Sequence, residues 1–189
     1  MDNSFIFLIV LIFIALFFDF LNGFHDSANS ISTVVSTRVL PAKYAVWWAA
    51  FFNFMAAFLI GTPVAHTIGT GIINPGIMED YVILSALGGA IIWNVVTWYF
   101  GLPSSSSHAL IGGLIGAGIV KAGLGVLVWP GIIKTTLFIF LSPAIGMILG
   151  YGLMSFVLYL SQYMHVASLQ GIFRKLQLFS AAAHSLSHG

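Results

Sequence analysis

The sequence contains no cysteine and very little charge. Without cysteine, disulfides and thiolate-metal sites are excluded, and the redox compartment stays open. Six basic and five acidic residues make up 6% of the chain, against about a quarter in an average soluble domain. So few charges cannot solvate a soluble protein of this length, and lipid must cover most of the exterior. The basic residues form no cluster, which removes nucleic acid from the expected partners. The histidines show no H-x-x-x-H or H-E-x-x-H spacing, so no zinc site is expected.

What fills the chain instead is apolar: 59% of its residues are hydrophobic. Ser4–Leu21 is long enough to cross a hydrocarbon core of about 30 Å at about 1.5 Å per residue. Its flank carries the acidic Asp2 and no basic leader, and no A-x-A site follows, so it reads as a retained span and not a signal peptide. Tyr44–Val64 and Val82–Phe100 read as further spans, separated by an Asn74-Pro75-Gly76 turn and the acidic pair Glu79-Asp80. Ile132–Leu160 is the longest apolar stretch and must tilt, overhang the bilayer or kink at Pro143. Trp129-Pro130-Gly131 reads as a chain break, Ser161–Lys175 as a polar connector, and Leu176–Gly189 as the start of another apolar segment. The expected fold class is an all-α membrane protein, a multi-span helical bundle with broken or re-entrant helices.

Basic residues set the orientation. Arg38 and Lys43 flank one short loop and Glu79-Asp80 occupy the next, which puts 38–43 in the cytoplasm and the N-terminus outside. If Gly101–Gly131 makes one net crossing, Arg174 and Lys175 also fall inside; if it is purely re-entrant, they fall outside. The net crossing is favoured, although Lys121 and Lys134 then lie outside.

Two polar constellations interrupt the apolar pattern. Asp19, Asn22, Asp26, Asn29 and Thr33 are spaced by three or four, which places them on one stripe of a helix. Gly23 is the expected position of a break that would let backbone groups join those side chains. A carboxylate in hydrocarbon costs at least a few kcal/mol, so it normally faces protein or a wet cavity. The bland alternatives are an interfacial position for Asp19 or Asp26, or pairing with His25 as structural glue. Asn22, Asn29 and Ser30 accompany Asp26 and make it the stronger candidate. The second constellation is Pro103 followed by Ser104, Ser105, Ser106, Ser107 and His108. Proline suits a first helical turn and serine an N-cap. A helix starting here aims free N–H groups and a positive dipole end at what precedes it, and four hydroxyls add neutral donors. That suits an oxyanion which must be held without being trapped by a salt bridge. The alternative is a serine-rich interfacial loop, but Gly112, Gly113, Gly116 and Gly118 beyond it allow close helix approach inside a bundle. His66, Asn53 and Asn94 are weaker signals, each more often an interhelical hydrogen bond than a ligand. Trp47, Trp48, Trp93 and Trp98 fit interfacial belts or helix packing.

Ser4–Leu21 closes on Asn22-Gly23, and the last segment closes on His188-Gly189. With the net crossing, the first segment starts outside and Leu176 starts inside, the inversion found in repeat-built transporters. Asn22-Gly23-Phe24-His25-Asp26-Ser27-Ala28-Asn29-Ser30 looks like the signature of the PiT inorganic phosphate transporters. Trp98-Tyr99-Phe100-Gly101-Leu102-Pro103 running into Ser104–His108 looks like a second hallmark of that family, and Arg38 and Ile91-Ile92-Trp93-Asn94 also fit. The resemblance covers nearly the whole chain. It implies a secondary transporter, not an enzyme, moving phosphate with sodium or protons across the cell membrane, with no other cofactor. It implies one half of an inverted-repeat transporter, with residues 1–175 as the first repeat and 176–189 as the start of the second. In that family the second signature opens with Ser-His-Gly and continues with Asn-Asp. Ser187-His188-Gly189 matches the opening, so the missing C-terminal repeat is an expected partner and a homodimer an open one.

Chemistry and resemblance together assign phosphate to Asn29, Ser30 and Ser104 to Ser107. The coupling ion goes to Asn22, Asp26 and Asn29, with sodium at Asp26 and Asn22 as the metal option. Asp19, His25, Thr33 and His108 are accessory. A sulfate carrier would use the same donors, and a channel would use similar re-entrant segments. An intramembrane hydrolase finds little support, because neighbouring Ser107 and His108 on one helix point apart and no G-x-S-x-G is present.

Overall fold

The computed structural model describes residues 3–59 and 68–188. His66, the distal end of the second expected span and Gly189 lie outside the described residues. Helices α1 (Asn3–Ser36), α2 (Ala42–Leu59), α3 (Asp80–Tyr99), α4 (Ser106–Ala122), α5 (Trp129–Ser161) and α6 (Val166–His188) carry the chain. Among the described residues, α3, α5 and the stretch Phe5–Ser36 of α1 are long and apolar enough to cross a membrane. Contacts divide the chain into two units, Met1–Asp26 with Thr62–Ile133 and Ser27–Gly61 with Lys134–Gly189.

The first unit is organised by the α3–α4 pair. Gly113 lies so close to α3 that a Cβ there would collide with the Ala86 carbonyl oxygen. Gly118 meets Ile73, whose Cγ2 would lie 3.2 Å from an added Cβ. Small residues thus let two apolar helices approach closely, as in membrane bundles. Gly112 and Gly116 face open space instead. Ile72, Ile73, Val82, Ala86 and Leu114 form the buried core. Residues 72–74 are clipped to 126–128: Asn74 N–H donates to the Val126 carbonyl at 2.8 Å and Val128 N–H to that of Ile72 at 3.0 Å. The Asn74-Pro75-Gly76 turn forms as expected, with Asn74 Oδ1 accepting from Gly76 N–H at 2.9 Å. Lys121, in the last turn of α4, pairs with Glu79 at the N-cap of α3 at 2.6 Å. The α4 helix therefore runs antiparallel to α3 and returns to the end where α3 begins.

The second unit rests on α2 and α6. Val34, Ala45 and Ala181 are its buried core, and Trp48 Nε1–H donates to the Leu178 carbonyl at 3.2 Å. Trp48 thus serves helix packing, one of its two expected roles. Arg38 closes α1 in the left-handed region (φ 57°), with Val39 N–H returning to the Val34 carbonyl at 2.9 Å. A non-glycine residue there costs roughly 1 kcal/mol, offset in part by the closing hydrogen bonds.

Three expectations are corrected. The α1 helix runs through Gly23 without a break. One interior glycine costs only about 1 kcal/mol, too little to stop a helix this long and apolar. Trp129-Pro130-Gly131 opens α5 instead of breaking the chain, because proline fits a first turn, where its missing N–H has no acceptor to lose. The true break is at Gly123 (φ 75°) and the 3-10 turn Leu124–Val126. The expected connector 161–175 is largely helical, since α6 starts at Val166. Gln170, Arg174, Lys175 and Gln177 are good helix formers whose polarity suits an amphipathic surface.

Candidate functional site

The serine run sits where α3 hands over to α4, and local backbone chemistry builds the corner. Gly101 takes φ 64°, its N–H returns to the Trp98 carbonyl at 3.0 Å, and Leu102 N–H returns to that of Thr97 at 2.8 Å. This paired closure ends α3 on a glycine that alone tolerates the conformation cheaply. Pro103 then lies in the extended link ahead of the helix, not in its first turn. Ser105 is the N-cap, with extended backbone (φ −104°, ψ 121°) and its Oγ accepting from His108 N–H at 3.4 Å. The N–H groups of Ser106 and Ser107 in the first turn have no intrahelical acceptor. Ser106 is buried, Ser104 is half-buried, and Ser105, Ser107 and His108 are exposed.

A cleft of about 450 Å³ opens beside this helix start, lined by Ser104, Ser105 and His108 together with Gly89, Trp93 and Gly112. Trp93 Nε1–H donates to Ser104 Oγ at 3.1 Å. Belt or packing was the sequence expectation for Trp93, and its polar contact was missed. No lysine or arginine lines the cleft. Its polar character comes from hydroxyls, peptide N–H groups and one imidazole. Nearby, Asn94 and Thr97 are buried at 1% and 2% exposure, and Asn94 Nδ2 has no hydrogen-bond partner among the described residues. Asn94 was a weaker signal in the sequence, and among the described residues that amide nitrogen makes no interhelical hydrogen bond.

The α1 stripe has a different character. Because the helix is unbroken, its backbone amides are used up in helical bonding and only side chains are on offer. Asp19 is exposed, Asn22, His25 and Asp26 are half-buried, Asn29 and Thr33 are exposed, and Ser30 is buried. His25 Nδ1 bonds to the Leu21 carbonyl at 2.8 Å across the glycine. A carbonyl only accepts, so Nδ1 carries the proton. Phe24 packs against Trp98 with ring centroids 5.9 Å apart, and a cavity of about 250 Å³ lies between Phe20, Phe24, His25, Val95 and Trp98. This contact brings the first motif to the end of α3 that leads into the second. Among the described residues no group of three histidine or carboxylate side chains could hold a metal ion.

Apolar helices of membrane-spanning length and a polar cleft at a helix start describe a helical membrane protein. The chain belongs to the phosphate transporter family, whose pattern matches residues 22–169. It is 57% identical over 182 residues to a probable low-affinity inorganic phosphate transporter of Rhizobium meliloti (strain 1021), covering 96% of this chain and 54% of that protein. A protein of the same description from Bacillus subtilis (strain 168) is 44% identical, over all of this chain and 57% of its own length. The chain thus spans about half the length of these curated relatives. A solved structure described as the sodium-dependent phosphate transporter shares the fold, with a TM-score of 0.72 over 95% of this chain and 55% of that one at 24% identity. The family is one of transporters, which removes the hydrolase alternative.

Proposed function

We propose that this chain is the first half of an ion-coupled inorganic phosphate symporter of the cell membrane, with its N-terminus outside and the changeover to a second, inverted repeat lying within α6. The observation that carries the reading is the cleft at the α4 start. Its donors are neutral, so they can balance a phosphate dianion without the deep trap that a buried salt bridge would set. Ser104 to Ser107 bind phosphate there, and Asn29 and Ser30 are assigned to phosphate by the motif that carries them. Asp26, Asn22 and Asn29 take the coupling ion. An oxygen-rich set suits sodium, while a lone carboxylate can instead carry a proton. Asp26 does not touch the dianion unless a cation or proton lies between them. Asp19, His25, Thr33 and His108 support these groups. Alternating access comes from one repeat rocking against the other.

The test is radiolabelled phosphate uptake into liposomes. A full-length transporter with this sequence as its first half should accumulate phosphate under a sodium or proton gradient, and residues 1–189 alone should give no saturable uptake. Cysteines introduced at Ala42 and Ile77 should label from opposite sides of the membrane. Gradient-driven accumulation by residues 1–189 alone would end the half-transporter reading.

A further inference from the structure

We infer that Trp93 is a positioning residue that makes Ser104 a committed hydrogen-bond donor to the transported anion. The inference rests on the assignment of phosphate to the α4 start. A serine hydroxyl is ambivalent, with one proton to donate and two lone pairs to accept. An indole N–H can only donate. With Trp93 Nε1–H at 3.1 Å from Ser104 Oγ, one lone pair of that oxygen is occupied and its proton is turned away from the indole. Ser105 is treated alike, since its Oγ accepts from His108 N–H at 3.4 Å. Both hydroxyls that line the cleft therefore have an acceptor site engaged by a donor-only group, and both line it together with Trp93.

The consequence is selectivity by polarity. A cleft of ambivalent hydroxyls would receive a neutral or cationic solute as readily as an anion. Hydroxyls whose oxygens already accept offer protons, which fits the acceptor oxygens of phosphate. The one-turn offset between Gly89 and Trp93 on α3 also explains the geometry. Glycine at 89 lies 4.0 Å, measured from an added Cβ, from the Gly113 Cα, so the helices are close enough for the next residue on that face to reach Ser104.

The experiment is a mutant cycle in the full-length transporter, with uptake normalised to the amount inserted in the membrane. Trp93→Phe keeps an aromatic ring and removes the N–H. It should raise the phosphate KM roughly three- to tenfold, the range of one lost hydrogen bond, and leave the maximal rate unchanged. Ser104→Ala should raise KM as well, and adding Trp93→Phe to it should change nothing more. An equal rise in KM from Trp93→Phe with and without Ser104 would mean that the ring merely packs, overturning the inference. An unchanged KM in Trp93→Phe beside a raised KM in Ser104→Ala would overturn it too, while leaving the phosphate site in place. An unchanged KM in Ser104→Ala would overturn the site assignment and this inference with it.

Discussion

The two polar motifs differ in what the backbone contributes. In α1 the residues from Asn22 to Ser30 sit within a continuous helix, so the peptide groups are spent and the side chains alone can bind. At the start of α4 the helix begins within the motif, so peptide N–H groups and hydroxyls act together. One motif is rich in carboxylate and amide oxygens, which accept from or coordinate cations. The other is rich in donors, which hold anions. The proposed symport calls for both kinds of chemistry, and the two motifs offer them according to where each lies relative to a helix end.

The largest effect should come from removing the charge from α1. Asp26→Asn is nearly isosteric but cannot hold a proton or neutralise a cation. It should abolish ion-driven phosphate accumulation, a loss of at least a hundredfold if the ion contact is worth roughly 3 kcal/mol. Membrane insertion should be unaffected. Uptake with wild-type ion dependence would reduce the carboxylate to a structural role.

A smaller effect comes from the scaffold that holds the α4 motif in place. Gly113→Val should force α4 off the Ala86 backbone, costing about 1–3 kcal/mol of packing. The thermal midpoint in detergent should fall and the phosphate KM should rise. Gly116→Val, at a glycine that faces open space away from the cleft lining, is the control and should change neither. The smallest effect belongs to the Glu79–Lys121 pair, which is 2.6 Å long with both side chains well exposed. Glu79→Gln should cost less than about 1 kcal/mol and leave uptake near normal. A large loss there would mean that the far end of the α3–α4 pair moves during transport.

Much of the geometry of the two motifs was legible in the sequence. The three- and four-residue spacing of Asp19, Asn22, Asp26, Asn29 and Thr33 survives as one stripe because α1 is a regular helix. Ser105 caps α4 as the serine run implied. The continuity of α1 was not legible, because a glycine beside polar residues looks the same whether or not the apolar surroundings enforce a helix. Pro130 misled for a related reason: proline marks helix starts and chain breaks alike, and only the positive φ at Gly123 shows which end of that segment turns. The link from Trp93 to Ser104 spans a corner, and sequence spacing does not reveal which indole N–H reaches across it.

In the proposed symporter, cation and anion chemistry are divided between α1 and the α4 start. The most direct test of that division is equilibrium phosphate binding to the purified full-length transporter, measured across a range of sodium concentrations and pH. In Asp26→Asn, phosphate affinity should lose its dependence on the coupling ion. In the Ser104→Ala, Ser105→Ala double variant, affinity should fall about tenfold or more while its ion dependence is retained. If the serine variant loses the ion dependence and Asp26→Asn keeps it, the division is contradicted.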